Sequence, residues 1–539
     1  MATIRINELP AGPGITSTTA FATEDPNVNA NTCYKYTLAD LSTSILPPFT
    51  QGSVIFAGAS GELSEDNANF SFDDTENLLS VSNHFQVSGV IGAGHDLGVI
   101  GAFQGLIFNS KKNALRAGDV QLDQWDDANV GVTSVAFGGS NKAIGVFSSV
   151  LGGNDNTINS AALGSSISSG NNNDTSSPHT FIGSGQNNSI STTGDVSAIV
   201  SGVSNSISGN TAGSFIGSGA GNITGGKFTF IGAGESLTLG VSSGNSGIVC
   251  GDTNTIDSRY SFIGSGENNT INISSDDSVI SGGKNCEINS PTCAIGGGDT
   301  NTITTNNSAW SGIFTGRLNN IHGSASFIGG GESNTMPDGA FHCVISGGKD
   351  NTINGVITSY SAIAGGQSNL ISNGNSFIGA GFNNSVTQAQ SAIIAGRDNV
   401  SSGFQSLVLG GSNNAATASA AIVLNGTANI ANGANSVVCG THAQSQHEST
   451  FVFADSAVGN FISGQSDSFL IRAAKGVGIN QATLNASTVL DIVGVNQAAI
   501  MPRTALEANI VTPVEGMFFF DTTTKQAKLY NGASWVIMG

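Results

Sequence analysis

Adjacent carboxylates are the first residues in this sequence that could do chemistry. Enzymes that hydrolyse a glycosidic bond use two carboxyl groups that face one groove at a separation of roughly 5 to 10 Å. Asp276 and Asp277 stand side by side in the segment ISSDDS. If this segment is extended, the two side chains point to opposite faces and do not share a groove. Because the segment lies between two predicted strands, we interpret both residues as solvated acids.

The histidines and cysteines show no spacing that is typical of a metal site or of a nucleophile with its base. We interpret His442 and His447 as exposed polar surface and the six cysteines as small buried hydrophobic residues. The cysteines are Cys33, Cys250, Cys286, Cys293, Cys343 and Cys439. Gly-x-Gly fragments such as GSGAGN lack the strand-to-helix setting that phosphate binding requires. The sequence therefore predicts a non-enzymatic protein without a cofactor.

The elements that position these residues follow a repeat of mostly 15 or 17 residues. Nineteen β-branched residues, called anchors, are each followed three positions later by Gly. The anchors are Val135, Val150, Ile182, Ile199, Ile216, Ile231, Ile248, Ile263, Ile280, Ile295, Ile313, Ile328, Ile345, Ile363, Ile378, Ile393, Val408, Val423 and Val437. One gap of 32 residues, after Val150, is expected to hold a divergent coil around Ala162, Leu163 and Gly164. Such self-similarity predicts stacked repeats.

Three further positions define the repeat when the anchor is counted as zero. Position +3 is Gly, as expected where the chain turns with positive φ. These turn glycines include Gly138, Gly153, Gly202, Gly251, Gly283, Gly298, Gly316, Gly348 and Gly381. Position +6 is Asn in sixteen copies, and we interpret it as a corner residue that tolerates the left-handed conformation and bonds to the same amide on the next coil. This Asn column includes Asn188, Asn205, Asn254, Asn269, Asn301, Asn319, Asn334, Asn351 and Asn369. Position +8 is Ile, Val, Leu or Met in thirteen copies, which completes a second strand.

One such unit cannot bury its apolar stripe alone, so the units must stack with parallel strands roughly 4.8 Å apart. Two short strands per unit predict a flat, two-sided roll of about twenty coils, on the order of 95 Å long. The Phe residues before the anchors, such as Phe181 and Phe327, should point outward, and three-fold self-association would cover them. The predicted fold is an all-β, elongated parallel β-roll solenoid, homotrimeric, with small β-rich N- and C-terminal modules.

Position +4 carries charges whose sign alternates over six consecutive coils. These residues are Glu267, Lys284, Asp299, Arg317, Glu332 and Lys349. If one unit is one coil, they form a surface ion-pair ladder, which we interpret as a device that specifies register more than stability. Just before this ladder the same column reads Glu235, Asp252, Glu267. Solvation of these acids is the simpler interpretation, and a bound cation is the alternative.

Composition and charge restrict the partners. The chain has 17 Lys and Arg against 37 Asp and Glu, a formal charge of −20, so no nucleic-acid partner is expected. Regularly placed Ile, Val and Phe argue against disorder despite 74 Gly residues. The start, MATIRINELPAGPG, has no basic segment before an apolar core, and no apolar run is long enough to span a membrane. We therefore expect no Sec signal peptide and no membrane insertion.

The units SVAFGGSNKAIG, SVISGGKNCEINS and SAIIAGRDNVSSG resemble the head repeats of trimeric autotransporter adhesins, over roughly residues 130 to 450. This resemblance implies left-handed parallel β-rolls that trimerise. The usual Ala at later positions is often replaced here by Asn-x-Ile. We also see no signal peptide and no C-terminal membrane-anchor segment, so a self-exported bacterial adhesin is not the favoured interpretation.

The flanks resemble other proteins. IRINELPAG and TCYKYTLADLSTSI, within residues 1 to 45, resemble the attachment end of bacteriophage tail-fibre and related virion proteins. Residues 109 to 138 resemble the lead-in to β-roll repeats in phage proteins, and residues 449 to 480 look like the end of such a head. The tail, with MPRTAL and TPVEGMFFFDTTTKQAKLYNGASWVIMG, is similar to a short β module that ends many fibre proteins.

These resemblances imply a structural virion fibre with five segments. They are a particle-attachment segment (1–50), a β-rich adapter and lead-in (51–130), a β-roll shaft (131–450), a roll-ending cap (451–495) and a distal C-terminal β module (496–539). The expected partners are two further copies of the chain, virion or tail proteins at the N-terminal segment, and a host-surface glycan or protein at the distal region. The expected location is the virion. A bacterial trimeric surface adhesin or extracellular filament and a glycan-cleaving tail spike stay open as alternatives.

Overall fold

The computed structural model describes residues 101–539 apart from 194, 305–307, 356–357, 481–482, 485–488 and 493–501, together with the backbone of six strands before residue 101. Those six strands form three antiparallel hairpins. They are Phe21–Glu24 with Cys33–Tyr36, Ile55–Ala57 with Leu63–Glu65, and Phe70–Asp73 with Leu78–Val81. Otherwise the expected attachment segment, residues 1–50, and the adapter up to residue 100 lie outside the described residues.

From Val135 to Arg472 the chain is a parallel β-solenoid. Before it come the strands Phe103–Asn109 and Ala114–Val120 and a 3-10 turn at Asp127–Asn129. Each turn of the solenoid, called a rung, adds one strand to the sheet that contains the anchors, called the anchor sheet. The parallel strands of the anchor sheet are Val135–Gly139, Ser149–Val150, Ser166–Ile167, Phe181–Ile182, Ala198–Ile199, Phe215–Ile216, Phe230–Ile231, Gly247–Ile248, Phe262–Ile263, Val279–Ile280, Ala294–Ile295, Gly312–Ile313, Phe327–Ile328, Val344–Ile345, Ala362–Ile363, Phe377–Ile378, Ala392–Ile393, Leu407–Val408, Ile422–Thr427, Val437–Thr441, Phe451–Ala454 and Phe469–Arg472.

The second strand of each rung joins the opposite sheet, which has 21 strands. These are Lys142–Ala143, Thr157–Ile158, Asp174–Thr175, Ser189–Thr192, Ser206–Gly209, Ile223–Thr224, Thr238–Leu239, Thr255–Ile256, Thr270–Ile271, Glu287–Ile288, Thr302–Ile303, Asn320–Ile321, Thr335–Met336, Thr352–Ile353, Leu370–Ile371, Ser385–Val386, Val400–Ser401, Ala415–Ala416, Ile430–Ala431, Ala443–Ser445 and Phe461–Ile462. At about 4.8 Å per strand this sheet is on the order of 100 Å long. A third ladder, of isolated parallel bridges, joins position +4 of successive rungs, so the expected two-sided roll has a further line of pairing between its sheets.

Close packing between rungs explains the Gly at position +3. All nine turn glycines named from the sequence have φ between 85° and 124°. A Cβ at Gly316 would lie 2.2 Å from the carbonyl oxygen of Gly331 on the next rung, so no larger residue fits. Position +5 also has positive φ, as in Thr300 at 56°. The expectation that the Asn at +6 is left-handed is therefore wrong, because the preceding residue makes the turn and Asn301 itself is buried.

The core is a stack of apolar side chains between two stacks of polar ones. Inward residues of both sheets, such as Ile263 and Ile271, are fully buried and form one cluster along the solenoid. One edge of this core is the buried Asn column at +6. The other edge is a column of buried Ser, Thr or Cys two residues before the anchor, in which Ser326 N donates to Ser311 Oγ at 3.1 Å. Polar edges let each thin rung satisfy its buried backbone groups.

The structure corrects three anchors. The rung inside the 32-residue gap is anchored by Ile167, not at Ala162, Leu163 and Gly164, because Ile167 pairs in register with Val150 and Ile182. At the two ends the inward residues are Ala136 and Val438 rather than Val135 and Val437. The strands there are five residues long, and the register shifts by a bulge between Val423 and Gly426.

Both ends of the stack are closed by an arginine. At the N-terminal end the buried Arg116 donates to the carbonyl oxygens of Ser134 and Ala143 at 3.1 and 3.0 Å, and burial lowers its pKa to about 10. Trp125 is buried beside it and donates from Nε1 to the carbonyl oxygen of Asn141 at 3.2 Å. At the other end Arg472 pairs with Asp455 at 3.1 Å and donates to backbone carbonyls. These contacts give hydrogen-bond partners to backbone carbonyl groups at the two ends of the stack, where no further rung can supply them.

A small sheet follows in the predicted C-terminal module. After a parallel pair, Val477–Ile479 with Leu490–Ile492, four strands form one sheet. They are Arg503–Thr504, Phe518–Asp521, Gln526–Tyr530 and Trp535–Ile537, and a 3-10 turn lies at Glu507–Asn509. Phe519 is buried and meets the ring of Trp535 edge-on at 4.7 Å. Lys528 Nζ lies 2.7 Å from Asp521 Oδ2 and also contacts Glu507. None of the helical turns in the described part of the chain is long and apolar enough to cross a membrane.

Candidate functional site

The outer face of the anchor sheet is apolar over many consecutive rungs, and we call it the apolar face. Its main column is the residue directly before each anchor. From the Phe181 rung onward this column reads Phe181, Ala198, Phe215, Phe230, Gly247, Phe262, Val279, Ala294, Gly312, Phe327, Val344, Ala362, Phe377, Ala392, Leu407, Ile422, Val437, Phe451 and Phe469. Phe181 is 40% exposed while Ile182 is fully buried, so the predicted outward direction of the Phe residues is confirmed. The matching column of the opposite sheet is largely polar, as in Thr255 and Thr270.

Large and small residues alternate across the apolar face within each strand. In the six rungs from Phe181 to Phe377 where the residue before the anchor is Phe, the residue after the anchor is Gly, as in Phe181 with Gly183. A Cβ at Gly183 would lie 3.4 Å from the Phe181 ring, so the ring lies along its own strand over this glycine. Where the residue before the anchor is Gly, as in Gly312, the residue after the anchor is large, as in Phe314. Most rungs therefore present one large apolar side chain, and neighbouring rings such as Phe215 and Phe230 stack at 5.7 Å.

The apolar face also has a depression. It has a volume of about 250 Å³ and lies where small residues of adjacent rungs, Ala294, Gly296 and Gly312, meet between Phe314 and Phe327. Large exposed apolar surfaces are uncommon on monomeric proteins. A depression flanked by rings accepts an apolar side chain from a second surface. The arrangement is suited to contact with a second apolar surface.

The charged residues at position +4 stack on successive rungs through the third ladder. Lys284 Nζ lies 2.9 Å from Glu267 Oε1, and the bond raises the pKa of Lys284. Glu332 is held from both sides, by Arg317 at 2.6 Å and by Lys349 at 3.5 Å. Arg317 and then Lys349 lower the pKa of Glu332. Asp299 lies between the two groups and has no cation within 4 Å among the described side chains.

The three consecutive acids of this column lie on adjacent rungs. Glu235 bridges Asp252, and Asp252 bridges Glu267. Glu267 is engaged by Lys284, and Asp252 accepts a hydrogen bond from Thr253. Within the residues that the structure describes, no group of three or more His, Cys, Asp or Glu side chains is placed to hold a metal ion.

The Asn column is a buried hydrogen-bond ladder. All nine residues named from the sequence are 0 to 1% exposed. Asn188 shows the pattern: its backbone N and its Nδ2 both donate to Asn173 Oδ1 at 3.0 Å, and Nδ2 donates to Gly202 O at 2.9 Å. Leu237 and Cys286 replace Asn in two rungs, so Asn254 and Asn301 each begin a new run. The ladder's role is to hold rungs together, because each amide bonds both neighbours.

Other polar candidates are placed differently from what the sequence indicated. Cys286, Cys293 and Cys343 are buried, and burial raises the pKa of the Cys293 thiol to about 11. Cys250 is exposed and Cys439 is half-buried, so the interpretation of all cysteines as buried was wrong. Both cysteines lie on outer positions shortly after an inward residue. The side chain of Cys33 lies outside the described residues.

The histidines and the paired carboxylates have structural neighbours. His442 and His447 are half-buried rather than exposed, and His447 Nδ1 lies 3.0 Å from Ser463 Oγ. Asp276 accepts a hydrogen bond from the backbone N of Arg259 at 2.9 Å. The buried Ser, Thr and Cys column was missed, although the sequence signals it: most units carry one of these residues two positions before the anchor.

Stacked rungs with a large apolar face define a β-solenoid repeat protein. Residues 478–539 of the chain match the family model of a phage tail like trimerisation region. No curated protein matches the chain. The match and the solenoid together fit a phage tail-fibre-like structural protein, and the match suggests a homotrimer.

Proposed function

We propose that this protein is the structural subunit of a virion tail fibre, a homotrimer whose copies meet through the apolar face of the anchor sheet. The observation that carries the proposal is the long run of apolar residues on the outside of a chain with a formal charge of −20. Such a surface favours burial against a second apolar surface. The trimerisation match at residues 478–539 supports other copies of the chain as the partners.

In this proposal each part of the chain has a mechanical role. The N-terminal segment attaches to virion or tail proteins, the solenoid acts as a spacer, and the distal region meets a glycan or protein of the host surface. The ladders at +4 and +6 fix the register of the spacer, since each side chain bonds only the rungs next to it. The fibre does no chemistry on its receptor.

The apolar face is tested by Phe327→Glu, with Thr335→Glu as its matched control. Phe327 is 43% exposed on the anchor sheet, and Thr335 takes the equivalent outer position in the opposite sheet of the same rung. The wild type and the control should have a mass of three times 54.2 kDa, about 163 kDa, by sedimentation at micromolar concentration. Phe327→Glu should shift the mass towards one chain or make the solenoid aggregate, because it buries an unpaired charge.

A wild-type mass of one chain with native secondary structure would contradict the trimer. Equal masses for Phe327→Glu and Thr335→Glu would contradict the apolar face as the interface. Antibody labelling of the native assembly in electron micrographs separates the remaining possibilities, because label on tail fibres of a particle supports the proposal and label on free filaments or cell surfaces supports an adhesin.

A further inference from the structure

One corner of the solenoid carries aromatic side chains where the backbone favours glycine or asparagine. The residue three positions before each anchor has positive φ, at 54° in Phe228, 59° in Asn245 and 54° in Tyr260. Bulky residues rarely adopt this conformation. Further ring residues of this column are Phe147, His179, Trp310, His342 and Tyr360. Because Asn375 and Asn435 hold the same corner in other rungs, the fold does not require a ring there. Exposed rings on strained backbone are typical of binding surfaces.

Two of these rings border a cavity of about 560 Å³, called the corner cavity. Phe228 is 61% and Tyr260 58% exposed. They lie two rungs apart, about 10 Å at the spacing of parallel strands, and the smaller Asn245 occupies the rung between them. The rungs are joined by backbone bonds, in which Tyr260 N donates to Gly244 O at 3.1 Å. The volume is in the range of small-ligand sites.

Two cations line the same corner cavity, although the chain as a whole is strongly acidic. Every other described Lys or Arg between residues 142 and 472 has a carboxylate within 4 Å, but Lys227 has none among the described residues. Arg259 contacts one carboxylate, Asp276, at 3.6 Å from Nε, which leaves guanidinium donors for another acceptor. The acidic surface of this chain repels a negatively charged ligand. The two cationic side chains at the corner cavity therefore indicate where such a ligand binds.

We propose that the corner cavity binds a carboxylated oligosaccharide. The flat rings of Phe228 and Tyr260 match the apolar faces of sugar rings, and the amides of Asn210 and Asn245 match sugar hydroxyls. Lys227 and Arg259 take the carboxylate. This inference goes beyond the spacer role proposed for the solenoid, because it names a ligand class and a binding site there. Binding by the purified protein does not depend on a fibre or a virion.

The test measures binding of the full-length protein to oligogalacturonate and to oligosialic acid by titration calorimetry. Carboxyl-reduced versions of both sugars test the role of charge, and oligoglutamate tests for an acidic peptide. Lys227→Gln removes the unpaired cation. Tyr260→Asn removes one ring and places a residue that tolerates positive φ, so its melting temperature should stay the same or rise. Tyr360→Asn, in the same column and away from the cavity, is the matched control.

The wild type and Tyr360→Asn should bind at least one of the two acidic sugars with equal affinity. Lys227→Gln and Tyr260→Asn should each weaken binding by about tenfold or more, and carboxyl reduction should do the same. Three outcomes overturn the proposal: no saturable binding of either sugar, equal binding of the reduced sugars, or wild-type affinity in Tyr260→Asn. Stronger binding of oligoglutamate than of both sugars overturns it in favour of a peptide ligand.

Discussion

At the scale of single residues, the solenoid depends on the buried, hydrogen-bonded side chains of the Asn column. Asn384 shows this use. Its Oδ1 accepts from the backbone N of Asn399 at 3.2 Å and its Nδ2 donates to Gly396 O at 2.9 Å. A buried polar group that loses its partner costs more than an average hydrogen bond contributes. The ladder is therefore sensitive to the loss of any interior amide.

Asn384→Ala should lower the thermal stability of the solenoid, since it leaves buried backbone groups of two rungs without a partner at about 1 to 3 kcal/mol each. Its neighbour Asn383 is exposed, has positive φ and contacts Asp398. Asn383→Gly should change the melting temperature little. Calorimetry of both variants checks this. Equal losses would mean that the buried ladder contributes no more than a surface turn.

The C-terminal module should be sensitive to acid through Asp521. The bond from Lys528 holds the pKa of Asp521 well below its ordinary value, so the folded module binds this proton less readily than the unfolded chain. The stabilisation is complete above the unfolded-state pKa of about 3.9 and is lost as pH falls below it. The pKa of Lys528 is raised by Asp521 and Glu507, and that contribution is lost only at alkaline pH.

Hydrogen exchange of Phe518–Asp521 and Gln526–Tyr530, followed from pH 7 to pH 3, measures this loss. The protection of these amides, corrected for the intrinsic pH dependence of exchange, should fall below about pH 4. Asp521→Asn should exchange faster than the wild type at pH 7 and should show a smaller change on acidification. A wild-type profile in the variant would contradict the role of this ion pair.

At the scale of elements, the ladder at position +4 acts on the register between rungs. Lys284 lies between the rungs of Glu267 and Asp299, whereas Lys349 shares Glu332 with Arg317. All these side chains are partly or largely exposed, so salt screens their interactions and their effect on total stability is small. A slip by one rung would place like charges next to each other.

Lys284→Glu should lower the melting temperature or the yield of assembled protein at low ionic strength, with recovery at high salt. The variant makes a run of five acids on adjacent rungs, because Glu235, Asp252 and Glu267 precede position 284 in this column and Asp299 follows it. Lys349→Glu should have a smaller effect because Arg317 still holds Glu332 at 2.6 Å. Melting curves of both variants across a salt series test this. Identical curves that do not respond to salt would show that these charges are too far apart to interact.

Most of the strands and turns could be predicted from the sequence because one spacing rule repeats. Anchors, turn glycines and the Asn column follow from that rule, and it also covers Ile167 with Gly170. The rule failed at the ends, where Ala136 and Val438 point inward after a shift of one residue, because longer strands follow local pairing rather than the repeat. The corner cavity was not predicted, since it depends on three rungs that come together only in the stack.

At the scale of the whole molecule, most interior rungs are nearly equivalent. Each one contacts mainly its two neighbours, so its removal replaces one set of contacts with a similar set. The capping arginines, the buried Arg116 and the half-buried Arg472, lie at the two ends. The number of rungs is therefore less constrained than the residues within a rung.

Deletion of residues 280–294 should leave a folded assembly that is shorter by about 4.8 Å, because Val279 then continues directly into Ile295 in phase. Gly283→Val should be more harmful, since φ is 109° there and a Cβ would lie 2.5 Å from Gly298 O. Sedimentation and electron microscopy of both variants test which of the two changes is more harmful to assembly. A deletion that unfolds while Gly283→Val assembles normally would contradict the register.

The in-phase rung has a consequence for the history of this gene. Recombination between two repeats in the same phase adds or removes whole rungs, and the backbone ladder at +4 and the Asn ladder at +6 close again because most rungs offer the same donors and acceptors. Lineages can thus inherit the same end segments on spacers of different length, in steps of about 4.8 Å. Selection for a longer or shorter spacer can therefore act on the number of rungs alone, and no new interface has to form.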